Sequence, residues 1–201
     1  AHIMGGDSAG EVVEVGSEVS QRKVGDRVVV NPRMTCGQCH PCLAGQEEFC
    51  PSAGMLGSSR SGSYAEFVGV PATSTVSLPD SLSYEQAASM PTVFLPSWNI
   101  LVRRGELKPW ETALILSASS GVGTAAIQVA KNVVGAKVIT TTSTEEKVEK
   151  ARQLGADEVI NYKEEDIADR VKEITGGRGV DVVLDHVGAD FWPAATRSLA
   201  M

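Results

Sequence analysis

Short runs rich in Val, Phe and Tyr, separated by Gly, Pro, Asp and Ser, mark the first eighty or so residues as β-rich. Residues 11–15, 27–30, 64–70 and 75–78 each have the length and composition of a strand, and together they predict a barrel-like segment. The pattern changes near Ser83. There SYEQAASM offers an N-capping serine, Glu85 and Gln86 in the first turn and an apolar continuation, which predicts a helix and places a domain boundary. The expected domains are therefore 1–83 and 84–201.

Beyond Ala113 the apolar period alternates between strand and helix. The strands ALILSA, KVITT, EVINY and VDVVLD are separated by helical stretches at about 122–134, 144–154 and 166–175, and a last helix begins near Asp190. Four strands joined through helices require a parallel sheet. Residues 114–116 and 180–184 are almost continuously apolar, as strands covered on both faces must be. A four-stranded sheet of this kind leaves an open edge beside residues 180–184, which proteins normally avoid. Either a longer chain or a partner is expected to cover it, so a homo-oligomer is left open.

Composition narrows the function classes. The chain has 201 residues, 42% of them hydrophobic, with 18 Lys and Arg against 25 Asp and Glu and a net charge of −7. A scattered minority of cations gives no basic face, which argues against a nucleic-acid partner. Its apolar runs are far too short for a membrane span, and the N-terminus does not resemble a secretion signal, so a cytoplasmic location is expected.

All four cysteines lie between Cys36 and Cys50. That clustering is too local to staple the fold and points to metal. Cys36, Cys39, Cys42 and Cys50 are spaced by two, two and seven residues, with Gly37, Pro41 and Gly45 letting the lobe (36–50) fold back on itself. Four thiolates fill the tetrahedral shell of zinc and leave no open position, so one structural zinc per chain is expected. His40 lies within the lobe but is read as exposed.

ALILSASSGVG sets an apolar strand directly before a turn of small residues and a helix, the context of a dinucleotide-binding loop. Ser120, Gly121, Val122 and Gly123 are the candidate phosphate-binding residues, the helix N-terminus favouring the anion. Ala118 and Ser120 stand where glycine is usual, so the motif is incomplete. About 20 residues on, where NAD sites carry an acidic residue for the ribose, stands Thr142. With no carboxylate to repel a 2′-phosphate, and with Ser143 and Lys147 nearby, NADP is expected in preference to NAD.

GDSAGEVVEVG, KVGDRVVV, the cysteine lobe, GSYAEFVGVP, ASSGVG, LGADEVINY and GGRGVDVVLDHVG together resemble the zinc-containing medium-chain alcohol dehydrogenase and quinone oxidoreductase superfamily. The resemblance implies a GroES-like β-barrel segment with its zinc lobe, followed by a partial Rossmann domain, a doubly wound parallel sheet. It implies hydride transfer between NADP(H) and a small alcohol, aldehyde or enone. Tyr162 then matches a residue near the adenosine, and His186 and Val187 match the turn that lines the nicotinamide.

The catalytic metal set of the family is not matched. Its GHE motif reads Gly5-Gly6-Asp7, the second cysteine aligns with Thr92, and the first would precede Ala1. His2 is a weak substitute, and no catalytic residue is assigned. Relatives carry further segments before Ala1 and after Met201, so the 201 residues are expected to be a fragment or a short form that turns over poorly alone. The competing reading is a non-catalytic dinucleotide-binding or zinc-stabilised interaction module.

Overall fold

The structure, a computed structural model, describes residues 2–201. It divides into two compact units, one extending to Thr92 and the other Val93–Met201. No described helix is long and apolar enough to cross a membrane.

In the first unit, β1 (Ala9–Glu11), β2 (Arg27–Val30) and the later β5 (Thr75–Ser77) form an antiparallel sheet in the order β1-β2-β5. The register pairs Gly10 with Val28 and Val28 with Ser77. Val28 and Val30 alternate inward, and Val30 joins Met34 and Leu56 in a small core. β3 (Arg33–Met34) and β4 (Gly54–Met55) pair with each other and carry between them the cysteine lobe with its short helix α1 (His40–Leu43).

Two strand expectations are corrected. Residues 64–70 form no strand: the amides of Gly62, Ser63 and Tyr64 bond to the carbonyls of Ile3, Gly5 and Met4. This pairing with the N-terminal stretch ends where the expected strand would begin. Residues 11–15 contribute only Glu11 to β1, because the regular ladder ends at Val12, whose N–H donates to the Asp26 carbonyl while its own carbonyl accepts from Gly25 N, two residues opposite one.

Helix α2 (Tyr84–Ala88) starts at the expected cap. Ser83 Oγ accepts from Gln86 N at 3.2 Å and Gln86 Oε1 accepts from Ser83 N at 3.0 Å, a reciprocal capping box. The helix packs on β1 and β2 with Ala87 fully buried. The first unit therefore continues past Ser83 to Thr92, inside helix α3 (Pro91–Trp98).

The second unit is built on β6 (Thr112–Ile115), β7 (Lys137–Thr142), β8 (Glu158–Asn161) and β9 (Val182–Leu184), all parallel, in the order β8-β7-β6-β9. The connecting helices are α4 (Gly121–Gln128), prolonged by a π-helical stretch to Val134, then α5 (Glu145–Gln153) and α6 (Ile167–Ile174). Helix α7 (Trp192–Arg197) follows β9.

Along β6 the side chains alternate between two cores. Ala113 and Ile115 pack with Ala126, Ile127 and Ala130 on one face, while Leu114 and Leu116 pack with Ile167, Val171 and Ala195 on the other. Burial on both faces is what the continuous apolar run predicts for a doubly wound sheet. β9 is an edge strand of this sheet, and just before it Val180 forms an isolated parallel bridge with Leu199. The chain steps outward from β6 through β7 to β8 and then returns to the far side of β6 to form β9. The reversal leaves a switch point between β6 and β9, and in open sheets of this kind ligands bind at the carboxyl ends of the strands that flank it.

Candidate functional sites in the two units

The cysteine lobe closes on itself through local turns. Cys39 caps α1, Pro41 stands in its first turn, and Gly37 and Gly45 take left-handed backbone conformations on either side. The four Sγ atoms all lie within 4.8 Å of one another. Individual separations are 3.4 Å for Cys39 and Cys42, 3.7 Å for Cys36 and Cys50 and 4.0 Å for Cys36 and Cys42. Four sulfurs about 2.3 Å from a central zinc ion lie roughly 3.8 Å apart along each edge of the tetrahedron, so the cluster has the size of a zinc shell. Cys50 is buried, and its sulfur accepts from Cys36 N at 3.5 Å.

The thiols hold their protons unequally. The backbone N–H groups of Gln38 and Cys39, with the Cys39 thiol, draw the Cys36 pKa down to about 6. At Cys39 the Cys42 backbone N–H favours the thiolate. Burial and the thiols of Cys42, Cys36 and Cys50 outweigh it and push that pKa up to about 12. A divalent cation held by Cys36, Cys39, Cys42 and Cys50 would relieve this crowding, since it binds the deprotonated sulfurs. His40 is exposed and lies outside the cluster.

In the second unit the turn after β6 is held from several sides. Ser117 adopts a left-handed conformation with φ of 60°. Its N–H donates to Thr141 Oγ1 at 3.0 Å, and the Ala118 N–H donates to the Thr141 carbonyl at 2.9 Å. Ser120 caps α4 by accepting from Gly123 N at 2.9 Å, and it donates its own proton to the Ser117 carbonyl at 2.9 Å. A Cβ on Gly123 would stand 2.1 Å from that carbonyl, and one on Gly121 would stand 2.7 Å from Val93 Cγ1. Gly123 is thus required by the turn itself and Gly121 by the approach of α3, and Val122 lies between them on the first turn of α4. The result is a close-packed strand-to-helix turn with an eight-residue helix behind it, which suits an anion such as a diphosphate.

The residues at the end of β7 are presented unequally. Thr142 is 2% exposed and its hydroxyl has no hydrogen-bond partner, so the position offers neither a carboxylate nor an exposed hydroxyl. Ser143 is half-buried and Lys147 exposed. Lys147 lines a hollow of about 480 Å³ together with Ala118, Ser119 and Lys150, which places a cation beside the turn. Lys150 is engaged with Glu146 at 2.6 Å.

Tyr162 packs edge-on against Phe191, with ring centroids 5.2 Å apart. After β9, Asp185 Oδ1 accepts from the backbone N–H groups of Val187 and Gly188 at 2.8 and 2.9 Å and closes a tight turn. That turn presents His186, whose Nε2 lies 2.8 Å from Ser120 Oγ. Local pattern gave no signal for this last contact, because the two residues are 66 positions apart.

The catalytic metal set implied by the resemblance does not fit the first unit. Gly6 has no side chain to offer, and Thr92 Oγ1 donates a hydrogen bond to the Asp7 carboxylate. The His2 ring lies against the Gly57 carbonyl at 3.2 Å. Among the described residues the cysteine lobe is the only group of three or more metal-ligating side chains.

Comparison with known proteins agrees with both halves of this architecture. Residues 1–80 match the alcohol dehydrogenase GroES-like domain, and residues 121–201 match the zinc-binding dehydrogenase family. The chain is 38% identical to an NAD-dependent alcohol dehydrogenase of Sulfurisphaera tokodaii over 182 residues, 90% of this chain and 52% of that one. It is likewise 38% identical to a quinone oxidoreductase of Salmonella typhimurium over 196 residues, 98% of this chain and 52% of that one. A crystal structure of an NAD-dependent alcohol dehydrogenase superposes with a TM-score of 0.95 at 42% identity, over 99% of this chain and 58% of that one. The chain spans about half the length of the curated relatives it matches. Its four-cysteine lobe, its parallel sheet and these likenesses place it in the zinc-containing medium-chain alcohol dehydrogenase and quinone oxidoreductase superfamily.

Proposed function

We propose that this chain forms part of an NADP-linked oxidoreductase that moves hydride between the nicotinamide and an alcohol, aldehyde or enone, with one structural zinc and no catalytic metal. The observation that carries the cofactor reading is the switch point. There the Ser120-capped helix α4 begins at the carboxyl end of β6, beside the turn that carries His186 and Val187 after β9. Gly121, Val122 and Gly123 present the helix N-terminus to the diphosphate. Lys147 and Ser143 are assigned to the 2′-phosphate; the support is the exposed cation beside the turn and the absence of an acidic side chain at position 142 to repel it.

The two alcohol dehydrogenases named above are called NAD-dependent, so the preference for NADP rests on these residues alone. Tyr162 is assigned to the adenosine side and His186 and Val187 to the nicotinamide side. The bound dinucleotide supplies the hydride-carrying ring, and the protein's task is to hold that ring and exclude water. The cysteine lobe has no open coordination position, so its zinc contributes stability and no Lewis-acid step.

A second reading, a dinucleotide-binding module without chemistry, is favoured by one specific observation. Gly6 and the Thr92–Asp7 pair stand where the resemblance places catalytic ligands. Titration with NADPH followed by turnover of a panel of small aldehydes and enones separates the two. Turnover by the chain, or by a version extended at both ends, supports the oxidoreductase, and dinucleotide binding by both without turnover on any substrate supports the module.

A further inference from the structure

Ser120 Oγ has one proton and two lone pairs, and three partners compete for them. The Ser117 carbonyl, at 2.9 Å, can only accept and takes the proton. The Gly123 N–H, at 2.9 Å, can only donate and occupies one lone pair. The remaining lone pair can only accept, so the contact of 2.8 Å with His186 Nε2 runs from an Nε2–H of His186 to Ser120. With the hydroxyl proton on the Ser117 carbonyl, the imidazole proton sits on Nε2, and the latch below requires this tautomer. The geometry of the Asp185 turn, held by its bonds to Val187 N and Gly188 N, aims that N–H at the α4 cap.

The place of this bond matters more than its strength. β6 and β9 are neighbours in the sheet, with Ile115 opposite Leu184 and Leu116 N donating to the Leu184 carbonyl. The turns that leave their carboxyl ends carry Ser120 and His186. The hydrogen bond therefore bridges the two lips of the switch-point crevice, the path a dinucleotide must follow to lay its diphosphate on the α4 N-terminus.

We propose that His186 is a latch across the dinucleotide crevice, whose Nε2–H is handed from Ser120 to the cofactor's diphosphate when the dinucleotide enters. The inference rests on the cofactor reading above, and it narrows the nicotinamide-side role of His186 to the diphosphate oxygen next to that half of the dinucleotide. The exchange is favourable because an N–H bond to an anionic phosphate oxygen is stronger than one to a neutral hydroxyl. Ser120 loses one acceptor contact but keeps both bonds that cap the helix and close the turn. His186 is exposed, so the side chain can swing without opening the core. Both NADPH and NADH carry the diphosphate, which makes the latch indifferent to the 2′-phosphate and separates its role from that of Lys147.

The test compares the unmodified protein with His186→Ala and His186→Gln by stopped-flow association and equilibrium titration, using NADPH, NADH and 2′-AMP. The last carries the 2′-phosphate but no diphosphate. Thermal unfolding verifies that the variants fold. His186→Ala should weaken NADPH and NADH alike by about two- to tenfold, the range one hydrogen bond supplies. It should speed association and leave 2′-AMP unchanged. His186→Gln, which keeps an N–H donor, should recover most of the loss. Unaltered dinucleotide binding by His186→Ala, or an equal loss for 2′-AMP, overturns the latch. Failure of the unmodified protein to bind either dinucleotide overturns the cofactor reading instead, and the latch with it.

Discussion

The Thr92 hydroxyl donates a hydrogen bond to the Asp7 carboxylate, although 85 residues of sequence separate the two. Both lie in the first unit, at positions where the superfamily resemblance would place parts of a catalytic metal centre. A threonine engaged with a carboxylate, beside a glycine with no side chain, is a poor set of zinc ligands. Elemental analysis of the protein purified in zinc-containing buffer should therefore return one zinc per chain, and two tightly held ions per chain would contradict the assignment.

The single zinc is expected to act through folding. Cys50 is the buried member of the lobe, and its sulfur meets both Cys36 N and Cys36 Sγ. Cys50→Ser should cost the lobe its metal and lower the unfolding temperature of the first unit. Dinucleotide affinity should stay within about twofold, since a change smaller than one ordinary hydrogen bond is expected at a site the lobe does not form. A loss of zinc accompanied by a large loss of cofactor affinity would show that the two sites are coupled.

Asp166 caps α6, accepting from Asp169 N at 3.0 Å, and pairs with Arg197 at 2.9 Å. The Asp169 N–H first, and then Arg197, hold its pKa below the ordinary carboxylate value. A carboxylate with a lowered folded pKa stabilises the fold above its unfolded pKa, and that contribution is lost as the pH falls through the folded value. Asp166→Ala should therefore cost about 1 kcal/mol in urea unfolding at neutral pH, the usual size of a lost cap. The difference from the unmodified protein should shrink in acid, below the ordinary carboxylate range. A cost that persists unchanged there would rule out the ionised cap as its source.

Lys147 is the exposed cation beside the phosphate turn. Lys147→Ala should weaken NADPH by about tenfold, as expected for a lost charge-assisted contact, while NADH changes little. Equal losses for the two cofactors would place Lys147 against the shared part of the dinucleotide.

What the chain revealed before its structure follows from the range of the forces involved. The Ser83 capping box, the four parallel strands and the cysteine spacing are local or periodic signals, and each can be read within a few residues. Residues 64–70 have the composition of a strand, whereas the amides of Gly62, Ser63 and Tyr64 pair with Ile3, Gly5 and Met4, far away in the chain. Gly121 and Gly123 were legible as a turn signal, but the Ser117 carbonyl and Val93 that make them necessary were not. Thr142 looked like an offered hydroxyl, yet burial at the end of β7 shuts it in. The contacts of Ser120 with His186 and of Thr92 with Asp7 exist only once the chain has returned across its sheets.

The most direct test of the account is calorimetric titration of the unmodified chain with NADPH and with NADH under identical salt. Ser143, Lys147 and the absence of a carboxylate at position 142 predict tighter binding of NADPH, by about tenfold. Tighter binding of NADH, or no binding of either dinucleotide, would contradict the account.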